Sequence, residues 1–313
     1  MQRIIIDTDP GVDDAHAILL AYSYPDVKVE AILTVNGNVG VDRTTANACT
    51  VLDLLGKDTP IYPGCNAPLV LASGENAAHI HGTDGLGGTN FPPSSRKVER
   101  EHASNALIRM ANASPGEISL VCIAPLTNIA VALKLDPKLP EKIKNLVLMG
   151  GAIHGRGNTP NISAEFNIYT DPEAAHVVFE SWPEYTLVSW ETTMTHGFSG
   201  DVLDKWFALN TPQARFFKKT NQRVIEFLTN ILGHKMLFAA DALAMAVALE
   251  PSIVKKSEKH ALTVELNGRL TRGQTTVDWL NMSKNPKKAN IILEVDQERF
   301  IELMENALVS NAF

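Results

Sequence analysis

Cysteine is scarce. Cys49, Cys65 and Cys122 are the only three in 313 residues, an odd number, far apart and outside any Cys-x-x-Cys pattern. This speaks against a disulfide framework and against a thiolate zinc site. Cys122, inside the apolar run Leu120-Val-Cys-Ile-Ala124, reads as a small core residue. Basic charge is not in excess either. The formal net charge of −7 makes duplex nucleic acid an unsuitable partner, but it is compatible with a small neutral substrate and a bound cation. No stretch approaches the ~20 apolar residues of a membrane span, so no membrane partner is expected. The N-terminus runs straight into a strand, with neither the basic nor the apolar region of a signal peptide. A reducing cytoplasm is the expected compartment. There is no internal repeat and no Ser/Gly-rich or charged linker, so residues 1–313 are read as a single domain.

What is present is an ordinary globular composition, 45% hydrophobic and 20% charged. Strand and helix signals alternate through the first 190 residues. Ile4–Ile6 reads as a strand, Asp13–Tyr22 as a helix, Val27–Val35 as a strand and Val41–Leu55 as a helix. Next come a strand at Ile118–Ile123, a helix at Asn128–Leu135 and a fourth strand at Leu146–Met149. Asp171–Phe179 is a helix opened by Asp-Pro-Glu, and Tyr185–Ser189 is another strand. Such alternation predicts an α/β fold: an open, mostly parallel central sheet with helices on both faces. The C-terminal half adds helices at Ser199–Phe207, Pro212–Leu232 and Ala240–Leu249. Short strands are expected around Ala261–Leu266, Thr275–Val277 and Ile291–Glu294, then a last helix at Asp296–Leu308. Ala72–Lys97 and the stretch near Gly233–Lys235 read as irregular loops, the kind that serve as lids.

The most informative segment is Ile4-Ile-Ile-Asp-Thr-Asp-Pro-Gly-Val-Asp-Asp14, which sets four carboxylates just beyond a β-branched run. Pro10 and Gly11 end the strand, so the acids fall at its C-terminal edge and in the first turn of the next helix. Open α/β sheets place their ligands there. Four acids so close repel one another unless something compensates, and a hard divalent cation with oxygen ligands does so. Asp13 and Asp14 also favour a helix N-terminus, but that accounts for only part of the string.

Other polar clusters fall where strands should end: Asn36-Gly-Asn38, Pro125-Leu-Thr-Asn128, Met149-Gly-Gly151 and Glu165-Phe-Asn167. Singly, each has an ordinary reading as turn or cap, Thr127 among the caps. Together they converge on one sheet edge. Asp241, in Phe238-Ala-Ala-Asp-Ala-Leu-Ala, is a lone charge starting an apolar helix. It is either an N-cap or a buried carboxylate aimed at a cation. The second reading is favoured because the first cluster needs ligands from elsewhere.

The string Asp7-Thr-Asp-Pro-Gly-Val-Asp-Asp14 resembles the N-terminal signature of the nucleoside hydrolases, the inosine/uridine-preferring ribohydrolase family. The likeness continues in Val35-Asn-Gly-Asn38, His79-Ile-His-Gly82, Pro125-Leu-Thr-Asn-Ile-Ala130, Leu148-Met-Gly-Gly151, Ala164-Glu-Phe-Asn167 and Asp171-Pro-Glu-Ala-Ala175. Glu265-Leu-Asn-Gly-Arg-Leu-Thr-Arg-Gly273 fits as well. The resemblance implies hydrolysis of a ribonucleoside by a homodimer or homotetramer with bound Ca²⁺. By motif position the metal ligands are Asp9, Asp14, the Thr127 carbonyl and Asp241, with Asp9 also the general base toward a cation-activated water. Asp13, Asn38, Glu165, Asn167 and Asp241 are implied to bind the ribose hydroxyls, with Asn158 a further candidate. Met149 would lie under the sugar, Phe166 would contact the base or simply pack, and Asp7 would support the site from behind.

One departure stands out. Many members of that family carry His immediately before the last Asp ligand, and purine-specific ones carry Trp, whereas this chain has Ala240. The acid that activates the leaving base is then best sought at His81, ahead of His79, His196 and His234. Two other readings stay open at this point. Asp-x-Asp after a first strand also opens haloacid dehalogenase-type phosphohydrolases, though these follow it with Gly-Thr. A ribonucleoside-binding protein that kept the Ca²⁺ pocket but lost catalysis is the other.

Overall fold

The computed structural model of the chain describes residues 1–71 and 76–310; residues 72–75, part of the loop expected at Ala72–Lys97, lie outside the described residues. Strand β1 (Gln2–Thr8) is the centre from which the sheet is built. Ile4, Ile5 and Ile6 are all fully buried, Ile4 and Ile6 in one apolar layer and Ile5 in the other. That is the period of two expected of a strand covered on both faces. Strand β1 pairs in parallel with β2 (Val27–Thr34) on one side, and β2 in turn pairs with β3 (Ile61–Pro63). On its other side β1 pairs with β4 (Ile118–Cys122), followed by β5 (Asn145–Met149) and β6 (Glu184–Val188), all parallel.

Two small antiparallel ribbons lie outside the main sheet: β7 (Phe198–Ser199) with β8 (Met236–Leu237), and β10 (Leu262–Val264) with β11 (Thr275–Val277). Between them in the chain, β9 (Val254–His260) pairs antiparallel with β12 (Lys288–Val295), which runs parallel to β6. The main sheet therefore has eight strands in the order β3-β2-β1-β4-β5-β6-β12-β9. The chain moves outward from β1 to β3 and then returns to the opposite side of β1 as β4. That reversal opens a crevice at the C-terminal ends of β1 and β4.

Helices cover both faces. One layer takes α1 (Val12–Ser23) and α2 (Val41–Leu55), with the short α3 (Ala78–His81) resting on it through Ile80. The other takes α4 (Ala103–Ala113), α5 (Thr127–Leu135), α6 (Leu139–Lys142), α7 (Phe166–Thr170) and α8 (Pro172–Ser181). Beyond α9 (Trp190–Thr195), the C-terminal helices α10 (Gly200–Phe207), α11 (Pro212–Leu232), α12 (Ala240–Leu249) and α13 (Gln297–Val309) join the first layer. All ten residues of α12 are buried, as its apolar circumference requires.

The sequence reading missed some elements for identifiable reasons. The strand expected at Leu146–Met149 is the fifth, because the three-residue β3 is too short to register. Strand β9, Val-Lys-Lys-Ser-Glu-Lys-His, is charged like a protected sheet edge and reads as loop. The strands near Ala261–Leu266 and Thr275–Val277 form a ribbon of their own and do not extend the sheet. Helix α4 relies on Ala103, Ala106, Leu107 and Ala111 for its buried face, a weak apolar signal. Thr127 is not a cap: Leu126 precedes α5, and the Thr127 hydroxyl donates instead to Asp171 Oδ2 at 2.7 Å.

Candidate active site

The turn between β1 and α1 gathers the four opening carboxylates. Asp14, in the first turn of α1, accepts at Oδ2 from the Gly11 amide (2.9 Å) and from Asn38 Nδ2 (3.0 Å). Its Oδ1 accepts from the Thr8 hydroxyl (2.5 Å) and the Asp9 amide (3.1 Å). Asp9 Oδ2 accepts from the Asn38 amide at 2.6 Å, whereas its Oδ1 is buried with no hydrogen-bond partner among the described residues. Asp7 is fully buried and accepts from Asn128 Nδ2 at 2.8 Å. Asn128 also donates to the Thr34 carbonyl (3.1 Å) and accepts from the Cys65 amide (2.9 Å). Asp7 thus braces the ends of β1, β2 and α5 and does not face the cavity.

Asp241 arrives from the far end of the chain, in the first turn of α12, and is 4% exposed. One carboxylate oxygen each from Asp13, Asp14 and Asp241 lies within 4.8 Å of the others. Burial, followed by the charges of Asp13, Asp14 and Asp9, pushes Asp241 well above the usual carboxylate range. Burial and the neighbouring Asp14 do the same to Asp9. Asp13 is pushed up to about 6, chiefly by burial. An all-oxygen set of crowded acids with an unpartnered buried oxygen fits a hard, high-coordination cation such as Ca²⁺. Thr127, whose carbonyl the resemblance adds to the set, is buried at the start of α5.

Of these acids, Asp13 and Asp241 line a cavity of about 230 Å³. Its polar end is lined by Asp13, Asn38, Met149, Asn158, Glu165, Asn167 and Asp241, with Phe166 beside them. Glu165 caps α7, accepting from the Asn167 (2.8 Å), Ile168 (3.2 Å) and Gly151 (2.9 Å) amides. Burial nevertheless pushes it up to about 7. Asn167 Nδ2 lies 3.3 Å from both the carbonyl and the sulfur of Met149, holding that side chain in place.

His81 also lines the cavity. Its Nδ1 accepts from the Val12 amide at 3.1 Å and lies 3.9 Å from Asp13 Oδ1. The ring proton is therefore on Nε2, and burial lowers the group to about 4. Of the other histidines considered, His79 lines the cavity at an exposed position. His196 does not: its nitrogens engage the Thr192 carbonyl (2.7 Å) and the Val295 amide (3.1 Å), a structural role. His234 is exposed near the Leu232 carbonyl, away from the cavity lining.

The opposite end of the cavity escaped the sequence reading. Trp190 and Phe238, an edge-on pair 5.9 Å apart, line it with Val224, Phe227 and Leu228 of α11, and Ala240 is also in the lining. His16 and Asn221 complete that wall. The one available signal was on α11, where Val224, Phe227 and Leu228 repeat at helical spacing although Phe227 is 37% exposed.

A switch-point cavity with acids at one end and aromatic and aliphatic side chains at the other defines an α/β enzyme acting on a small amphipathic molecule. The profile of the family described as inosine-uridine preferring nucleoside hydrolase matches residues 4–302, and the chain belongs to that family. It is 38% identical over 315 aligned positions to the inosine-uridine preferring nucleoside hydrolase of Crithidia fasciculata, covering 98% of this chain and 97% of that one. To a pyrimidine-specific ribonucleoside hydrolase of Escherichia coli it is 34% identical, with the same coverage. The solved structure of a plant nucleoside hydrolase superimposes with a TM-score of 0.93 at 30% identity, over 99% of both chains. The phosphohydrolase alternative falls with this assignment.

Proposed function

We propose that this chain is a Ca²⁺-dependent ribonucleoside hydrolase, splitting the N-glycosidic bond to free base and ribose. The observation that carries the reading is the cluster of Asp13, Asp14 and Asp241, with Asp9 close enough to act on Asp241 by its charge, beside a cavity that Asp13 and Asp241 line together with apolar side chains. Asp9, Asp14, Asp241 and the Thr127 carbonyl would hold the cation. When bound, it balances their charge and raises the acidity of an adjacent water. Asp9 acts as the general base, taking the water's proton on the oxygen left without a partner. Asp13, Asn38, Asn158, Glu165, Asn167 and Asp241 grip the ribose hydroxyls, and Met149 packs beneath the ring. The surrounding carboxylates stabilise positive charge as it develops on the sugar, the logic that glycosidases share.

At the base, His81 donates a hydrogen bond from Nε2–H. It acts as a neutral imidazole, because Nδ1 is committed to the Val12 amide. Phe166, between Glu165 and Asn167 in the lining, would contact the base or simply pack. The relatives named above differ in base preference, so this reading commits to ribonucleosides and not to one base. We further expect a single cooperative domain that assembles as a homodimer or homotetramer in the cytoplasm.

Ribose release from inosine and uridine, measured in chelator and after Ca²⁺ is restored, tests the reading together with calorimetric Ca²⁺ binding. Loss in chelator and recovery with Ca²⁺ are expected. Full turnover by exhaustively chelated protein overturns the metal assignment. Nucleoside binding without turnover of any common nucleoside would make the chain a binding protein instead.

A further inference from the structure

The C-terminal motif at 265–273 has no part in the chemistry above. It folds back on itself. The Gly273 amide donates to the Glu265 carbonyl at 2.7 Å, and the Glu265 carboxylate accepts from the Asn267 (2.7 Å) and Gly268 (2.9 Å) amides. Arg272 ties this turn to α8, its guanidinium reaching both oxygens of Glu173 at 2.8 and 2.9 Å and the Leu266 carbonyl at 2.6 Å. A two-pronged pairing of that kind fixes geometry as well as charge. Against the turn rests the loop at 157–164, which separates Asn158 from Glu165 and Asn167.

That loop is a ring pinched at its neck. The Asn158 amide donates to the Ala164 carbonyl at 3.1 Å, and the Gly157 amide to the Ile162 carbonyl at 2.8 Å. Asn161 Oδ1 accepts from the Ala164 (3.1 Å) and Ser163 (3.3 Å) amides, which fixes the amide group's orientation. Its Nδ2 then donates to the Arg272 carbonyl at 2.6 Å, and the Ser163 hydroxyl donates to the Leu270 carbonyl at 2.8 Å. Gly273 adds a close approach, since a Cβ there would lie 2.9 Å from Tyr169 Cα in α7. Ile162, at the tip of the ring, is β-branched yet has a φ of 58°. Such a conformation is strained and persists only where its surroundings hold it. The tethers from Asn161 and Ser163 supply that hold.

We propose that Asn161, through its tether to the 265–273 turn, is a positioning residue for sugar recognition. The tether sets the neck of the ring, with Asn158 on one side of it and Glu165 and Asn167 on the other, all three in the cavity lining. Released, the strained tip relaxes and the neck follows, so the ribose hydroxyls are met at poorer geometry. None of the proposed cation ligands lies on the loop or the turn, so the effect falls on the sugar and not on the cation. This rests on the ribonucleoside reading and extends it to a turn 111 residues away from Asn161 along the chain.

The test compares inosine with 2′-deoxyinosine and 5′-deoxyinosine in the wild type, Asn161→Asp and Ser163→Ala, by kcat/KM with Ca²⁺ present, alongside calorimetric Kd for Ca²⁺. Asp at position 161 keeps the acceptor for the loop amides and loses only the donor to the Arg272 carbonyl. In Asn161→Asp the preference for inosine over at least one deoxynucleoside is expected to fall about threefold or more, the worth of a hydrogen bond. Ser163→Ala should move it the same way by less, and Ca²⁺ Kd should stay within about twofold of wild type in both. Preferences unchanged in variants that fold, as judged by circular dichroism, overturn the proposal, even where all three nucleosides are used more poorly. A Ca²⁺ Kd raised as much as inosine use is lowered also overturns it, as general loosening. Should Asn161→Asp not fold, Ser163→Ala decides alone. A wild type indifferent to both hydroxyls defeats the sugar reading and the tether with it. Absence of turnover sinks the hydrolase reading separately, since calorimetric Kd for the same nucleosides then reports on the tether.

Discussion

Gly37 shows how little tolerance the site has at single residues. A Cβ there would lie 2.0 Å from Asp9 Oδ2, so any other residue displaces the proposed base. Gly37→Ala is therefore expected to weaken Ca²⁺ binding and turnover together, as calorimetry and a ribose assay would show. Asp9→Asn should retain the fold by circular dichroism and lose about a hundredfold or more in kcat. A loss smaller than about threefold would reject Asp9 as the base. Titration adds a prediction with a definite sign. Asp7 and Glu165 are each pushed up to about 7 by burial, and Asp9 and Asp241 well above their ordinary values. For such groups the folded state holds the proton more tightly, so their contribution is full at low pH and lost as pH rises through the folded value. His16, lowered by burial to about 3, works in the other direction: its contribution is full above its ordinary value of 6.5 and lost as pH falls. The metal-free protein should therefore melt at progressively lower temperature from pH 6.5 to 8, and Ca²⁺ should restore more at pH 8. A melting temperature that is flat or rising across that window would contradict the burial of these acids.

At the scale of elements, β1 was the most legible part of the chain. Its three isoleucines alternate between two apolar layers, and its end leads straight into Asp9 while Asp7 braces the neighbouring strand ends. Ile5→Ala should cost about 2–5 kcal/mol in urea unfolding, because the cavity it leaves lies between two packed layers. Helix boundaries were legible where apolar periodicity was strong, as for Val41–Leu55, or where the run was apolar throughout, as for Ala240–Leu249. They were not where charge masked a strand, as in β9. Glu191 on α9 has a role that no local pattern announces. Its buried carboxylate accepts from the Ile153 and His154 amides at 2.9 Å and from the Arg156 amide at 3.2 Å. It thereby anchors the loop that carries Asn158. Glu191→Gln can satisfy only part of that set and is expected to raise KM for nucleosides more than it lowers kcat. Equal effects on both would point away from sugar positioning.

For the whole molecule, topology decides function. The reversal of strand order at β1 and β4 sets the ends of β1, β2, β4 and β5 around one crevice, so motifs spread over the first half of the chain become neighbours. The acidic half of the site was readable for that reason. A short carboxylate string at a strand end, and Asn or Gly at the other strand ends, are local signals that parallel-sheet geometry brings to one edge. The sequence by itself thus determined the fold class, the acidic site and the family. The apolar half of the cavity took shape only through long-range packing. His16 and Asn221 stand 205 residues apart, and only the packing of α11 over α1 brings them within a hydrogen bond. Neither has a local signature, because a histidine or asparagine within an amphipathic helix is defined by what lies opposite it, and that partner is chosen by the fold.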